Sequence, residues 1–144
     1  MSTPDARQSD VATLDAILHA FYETVSGPCG QPRDWDRFRS LLLPGGRLMP
    51  IVSVPGEKAG IRFLSAEDFI HRVEPIFATE DFWERESSRQ TETFGRFAHV
   101  LSFYESLRSP NGLPFERSAN SIQLFNDGLR WWIVSVMWNT SRKE

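Results

Sequence analysis

Cysteine is nearly missing from this chain: Cys29 is the only one. A lone thiol forms neither an intrachain disulfide nor a cysteine-based zinc site, so packing has to hold the fold. Long apolar runs are missing too. No segment approaches the roughly eighteen apolar residues of a membrane span, and Met1 to Asp10 has neither the basic stretch nor the apolar core of a secretory signal. No membrane association and a cytoplasmic location are expected. There is also no excess of positive charge. The formal net charge is -3, with both signs scattered, which excludes the basic face that a nucleic-acid backbone requires. Phosphate-loop patterns are absent as well, and Gly27-Pro28-Cys29-Gly30 and Gly45-Gly46 read as turns. His19 and His71 have no His or Cys at the short spacing that metal sites commonly use, so neither a metal nor a cofactor is expected.

What the chain does have is aromatic bulk. Its 144 residues suit a single domain spanning 1–144, and 11 Phe with 5 Trp supply large side chains for a core or a cavity wall. Residues 1–10 read as a polar tail. Val11, Leu14, Ile17, Leu18, Phe21 and Val25 then recur at helical spacing and predict a first helix ending at Ser26-Gly27-Pro28. Asp34 can cap a short second helix carrying Trp35, Phe38, Leu41 and Leu42, stopped by Pro44-Gly45-Gly46. Arg47 to Val54 and Gly60 to Leu64 read as a strand pair, with Pro50 arguing for an edge or a bulge. Ser65 with Asp68 resembles a capping box for a third helix through Phe69, Ile70, Val73, Ile76 and Phe77, which Pro75 should kink or shorten.

From Phe82 onward the chain reads as extended: Trp83 to Phe94, Phe97 to Leu107, and Phe115 to Trp138 divided at Asn126-Asp127-Gly128. Helices first and long strands last predict an α+β fold, mostly antiparallel, with segregated layers. A two-residue turn at Asp127-Gly128 would pair Leu124 with Trp131, Ile122 with Ile133 and Asn120 with Ser135, leaving Gln123, Arg130, Trp132, Val134 and Trp138 on the other face. That second face is aromatic enough to suggest a covering subunit, and a homodimer through the sheet is expected.

The order of elements, the first-helix residues Leu14 to Val25, the Trp35-Asp36 start of the second helix, the Phe97-Ala98-His99-Val100 strand and the closing Gly128 to Val134 stretch together resemble the nuclear transport factor 2-like, SnoaL-like superfamily. The resemblance spans nearly the whole chain and implies a cone-shaped, strongly curved sheet wrapped by three helices around a cavity. Members include isomerases, cyclases, dehydratases and hydrolases as well as non-catalytic binding domains. The stretch resembling the carboxylate base of the ketosteroid isomerases reads Leu48-Met49-Pro50-Ile51, and Phe21 rather than Tyr22 falls nearest their tyrosine, so steroid-type isomerisation is not implied.

Several residues can carry chemistry in such a cavity. His99, in mid-strand, can act as a general base near neutral pH, the competing reading being a hydrogen-bonded or dimer-facing histidine. Glu84 and Glu86 share a strand face by period-two spacing, and burial would make either a proton donor, although Arg85 and Arg89 beside them fit a solvated face. Tyr22, Asp34 and Asp36 lie at the corner that the resemblance places at the cavity mouth, where a tyrosine and a carboxylate can polarise a carbonyl. Asn120 on an apolar strand face needs partners that a ligand can supply. The expected site therefore comprises His99, Glu86 and Tyr22 as catalytic candidates, and Asn120, Asp36, Trp35 and Trp131 as ligand contacts. The function expected is a small-molecule pocket with possible acid/base chemistry on a hydrophobic ligand. The alternative is a non-catalytic dimeric domain with a filled cone.

Overall fold

In the computed structural model, which describes residues 5–140, three helices and two strands come first, and a fourth helix precedes the four long strands that complete a six-stranded sheet. A short helix α1 (Gln8–Val11) precedes α2 (Leu14–Thr24), because Thr13 breaks the run: its backbone is extended and its hydroxyl accepts the Ala16 N–H. The expected tail is thus structured from Gln8, and Asp10 is buried. A fork of hydrogen bonds from Arg37, 2.9 and 3.0 Å long, holds its carboxylate. Residues 1–4 lie outside the described residues. Helix α2 buries Ile17, Leu18 and Phe21 at the predicted spacing, and Tyr22 with them.

Asp34 caps α3 (Trp35–Leu41) by accepting the Arg37 N–H at 3.0 Å. Phe38, fully buried, stacks on Phe21 and Phe69 at ring-centroid distances of 6.0 and 5.3 Å. Pro44-Gly45-Gly46 does more than stop the helix. Strand β1 (Leu42–Val52) begins before it and carries it as a bulge. The two-residue β2 (Gly60–Ile61) pairs with the far end of β1, so Pro50 lies one strand in from a very short edge. Ser65 and Asp68 form the capping box of α4 (Ala66–Phe77), which runs two residues past Pro75.

Strands β3 (Trp83–Phe94), β4 (Phe97–Leu107), β5 (Pro114–Asn126) and β6 (Trp131–Asn139) complete the sheet in the order β2-β1-β6-β5-β4-β3. All neighbours are antiparallel except β1 and β6, which run parallel. The sheet is therefore mixed, and it does not close into a barrel. Along β4, Ala98, Val100, Ser102, Tyr104 and Ser106 are buried on the face that meets the helices, while Phe97, His99, Leu101 and Phe103 alternate onto the outer face.

The last hairpin departs from the two-residue turn. Asp127 accepts the N–H groups of Leu129 and Arg130, closing a longer loop in which Asn126 pairs with Trp131. The register shifts again at Val134, between the Leu124–Ile133 and Gln123–Ser135 pairs. Beyond that bulge Ile122 opposes Val136 and Asn120 opposes Trp138, so Ser135 does not face Asn120. Trp138 turns inward and meets Phe69 edge to face, contrary to the outward position expected for it. The reason is the extra residue at Val134, which reverses the parity of the strand beyond it; this β6 bulge lies beside the β1 bulge, where a Cβ on Gly46 would stand 2.9 Å from the Leu43 carbonyl oxygen and 3.0 Å from that of Val134.

Candidate ligand cavity

Between α4, the last turn of α2 and the inner face of the sheet lies a cavity of about 280 Å³. Phe21, Val25, Phe69, Phe77, Val136 and Trp138 make much of its apolar wall, and Glu84, Tyr104, Arg108, Glu116, Asn120 and Arg72 bring polar atoms to it. The register at the end of the sheet explains two of the acids. Ser106 on β4 pairs with Glu84 on one side and Glu116 on the other, so the three side chains form a row on the inner face. A bulge beside Leu107 lets both Phe115 and Glu116 reach the cavity.

Ser26 pins the Glu84 backbone. Its hydroxyl accepts the Glu84 N–H at 3.0 Å and donates its proton to the Tyr22 carbonyl oxygen at 2.8 Å, with the Glu84 carbonyl oxygen a longer contact at 3.3 Å. Burial pushes the Glu84 carboxyl up to about 8, and the neighbouring Glu116 adds to the effect. At neutral pH Glu84 is therefore a carboxylic acid, able to donate a hydrogen bond or a proton. Burial also raises Tyr104 well above the usual tyrosine range, which keeps its phenol neutral. The Ser106 hydroxyl between the two acids is buried and has no hydrogen-bond partner among the described residues.

A second polar feature runs away from the cavity. Asn120 Nδ2 donates to the Tyr22 hydroxyl at 3.0 Å, and Tyr22 meets Ser102 Oγ at 2.7 Å. Ser102 in turn donates to Glu86 Oε2 at 2.6 Å, and Arg89 Nε donates to Glu86 Oε1 at 2.8 Å. Arg89 also reaches Asp15 at 3.1 Å. The chain links the cavity wall to the protein surface through the layer between α2 and the sheet. Burial raises the Tyr22 phenol far above its ordinary value despite these two contacts.

No protein-family model matches the sequence, and no curated protein does. Solved structures match over most of the chain. A Nostoc punctiforme protein of unknown function with a cystatin-like fold aligns with a TM-score of 0.66 at 10% identity, covering 88% of this chain and 86% of its own. A Streptomyces avermitilis protein described as a candidate dehydratase of the NTF2-like family gives 0.62 at 17% identity, with 94% and 98% covered. The chain has the NTF2-like fold. A third neighbour is a Thiobacillus denitrificans protein described as a candidate calcium/calmodulin-dependent protein kinase type II association domain, with a TM-score of 0.65 at 10% identity and 90% and 96% covered.

Within the NTF2-like fold the expected site residues separate. Asn120 lines the cavity, with Tyr22 directly behind it and Glu86 two further hydrogen bonds away. His99 is on the opposite face of the sheet, where Nε2 meets Ser121 Oγ at 3.0 Å, so it cannot act as a base inside the cavity. Its strand parity decides this, since the fully buried Ala98 and Val100 take the inner face. Trp35 does not line the cavity. It stacks on Phe77 at 6.2 Å and so backs a residue that does. Asp36 is exposed and pairs with Arg39 at 2.9 Å, away from the cavity. Trp131 packs against the core from the hairpin end rather than lining the cavity.

Glu84 and Glu116 are the acids that do reach the cavity. Glu84 is legible in the sequence through its period-two spacing with Glu86, although the neighbouring Arg85 and Arg89 favour a solvated face. Glu116 and Asn120 are four apart on one strand and share a face by the same rule. That signal was available in the sequence. Among the described residues no group of acidic, histidine and cysteine side chains is arranged to hold a metal, and no helix is long and apolar enough to cross a membrane.

Proposed function

We propose that the chain binds a small, mainly apolar molecule in this cavity and supports proton transfer on it, with Glu84 as the acid. The observation that carries the reading is the Glu84 carboxyl on the cavity wall, set in one row with Ser106 and Glu116 and raised to about 8 by desolvation. A neutral carboxylic acid can protonate a carbonyl or hydroxyl oxygen, and Glu116, on the other side of Ser106, lines the same cavity as a candidate for the matching base. Isomerase, cyclase, dehydratase and hydrolase chemistry all use such a pair. The description of the Streptomyces avermitilis neighbour as a dehydratase is in keeping with that class. The cone is not filled by its aromatic side chains, which favours a ligand over a purely structural interior.

The test is calorimetric titration with 2-acetylnaphthalene, an apolar ketone, across pH 6 to 10. A ketone that accepts from protonated Glu84 binds well at low pH and loses affinity as pH rises through about 8. Glu84→Gln keeps a donor and should bind with no such pH dependence. Absence of binding at every pH, or a wild-type affinity indifferent to pH, would reject the reading.

Association through the sheet is a second reading, compatible with the first. It rests on the outer face, where Phe94 and Phe97 are 76% and 52% exposed and lie 6.1 Å apart by ring centroids. The kinase association domain described for the Thiobacillus denitrificans neighbour is in keeping with it. Sedimentation velocity at micromolar concentration should give a dimer that Phe97→Lys weakens. A wild-type monomer would reject it.

A further inference from the structure

The chain of hydrogen bonds behind the cavity has a direction, and the direction bears on what the cavity binds. Glu86 is paired with Arg89 and offers Ser102 an acceptor oxygen at 2.6 Å. Ser102 has one hydroxyl proton, and it goes to Glu86. The 2.7 Å contact between Tyr22 and Ser102 must then use the tyrosine proton, which leaves the Tyr22 oxygen as an acceptor. Only the NH₂ end of the Asn120 amide can fill that role, at 3.0 Å. The two ends of an amide are distinguished by their partners, and here every partner agrees.

The amide carbonyl is left over. Asn120 lines the cavity, and the amide end held by Tyr22 is Nδ2, which leaves the oxygen as the end turned to the cavity. We propose that Asn120 presents its side-chain carbonyl to the cavity as a hydrogen-bond acceptor, and that Glu86 is the positioning residue that fixes it so. The ligand class narrows accordingly: an apolar body with a hydroxyl or N–H donor directed at Asn120. This inference rests on the cavity reading above. An acceptor group on the same molecule would meet Glu84, so the two ends of the cavity ask for opposite polar groups.

Three probes of one shape test it: 2-naphthol, which has a donor, 2-methoxynaphthalene, which has none, and naphthalene. The cavity is nearly twice the roughly 150 Å³ that accommodates benzene in a protein core. Wild type should bind 2-naphthol about tenfold more tightly than 2-methoxynaphthalene, the effect of one satisfied buried hydrogen bond. Glu86→Ala releases Ser102 and lets the amide turn, so that ratio should fall toward one. Glu86→Gln retains an acceptor for Ser102 and should restore it. Equal affinities for the two probes in wild type, with naphthalene bound, would overturn the proposal and leave the cavity reading standing. If no probe binds, the cavity reading fails, and side-chain amide NMR still decides the orientation. NOEs from the Asn120 NH₂ to the Tyr22 ring, lost in Glu86→Ala, support it, and NOEs to Val136 or Tyr104 overturn it.

Discussion

Glu84 and Glu116 stand on either side of Ser106 on the inner face of the sheet, each paired with it across a neighbouring strand. Two carboxyl groups thus share one wall of the cavity, and the charge of Glu116 adds to the cost that desolvation puts on ionising Glu84.

The stability of the protein should therefore fall with alkalinity in a definite window. The folded Glu84 holds its proton up to about pH 8, whereas the unfolded chain releases it near 4.5. Between those values the folded state binds the extra proton, so this contribution is complete below pH 4.5 and is lost as pH rises through about 8. Glu84→Gln should remove the slope and stabilise the protein above pH 8 by up to about 4 kcal/mol relative to wild type. Urea titrations of both proteins at pH 5, 7 and 9 measure it, and parallel wild-type and variant curves would contradict it.

Arg37 is expected to matter through what it leaves behind. Its guanidinium holds Asp10, whose side chain is 9% exposed, and also contacts Glu23. The Arg37 hydrogen bonds hold the Asp10 carboxyl below the usual carboxylate range, so this contribution is present near neutrality and fades as pH falls below 3.8. Arg37→Met strands the carboxylate and should cost about 2–4 kcal/mol. Adding Asp10→Asn should recover part of the loss, and thermal melts of the single and double variants decide this.

Gly46 should tolerate no side chain. A Cβ there would approach two backbone carbonyl oxygens, at 2.9 and 3.0 Å, where the β1 and β6 bulges run side by side. Gly46→Ala is expected to destabilise by about 1–3 kcal/mol, seen as a lower urea midpoint with an unchanged slope. Gly60 is open to solvent, and Gly60→Ala is the control.

Phe38 joins the helices to one another. It is fully buried between Phe21 and Phe69 and meets Trp35 edge to face at 5.5 Å. Phe38→Ala should cost about 3–5 kcal/mol, and Phe38→Leu distinctly less, by urea unfolding.

Much of the architecture was legible in the residues. The caps at Asp34 and at Ser65 with Asp68 are local chemistry, and the structure forms both as read. The spans of the long strands were legible because turn residues bound them: β3 runs from Trp83 to Phe94 and β4 from Phe97 to Leu107. Asp10 reads as part of a polar tail because it is hydrophilic in isolation, whereas the fold buries it in α1. Its place in the core depends on Arg37, 27 residues away.

The site divides along the same line. Asn120 could be placed on the cavity wall because its strand face follows from period two over an uninterrupted stretch. Trp138 could not, since the extra residue at Val134 reverses the parity of everything after it, and that bulge packs against Gly46 in a neighbouring strand. His99 was a question of parity without an anchor: only packing against the helices decides that Ala98 and Val100 take the inner face. The sequence by itself determined the order of helices and strands, their caps and the supply of acids, because these depend on residues close together in the chain. The tertiary structure alone decided which acid is buried, which aromatic faces inward and which end of an amide is free, because each depends on atoms that only the completed sheet brings together.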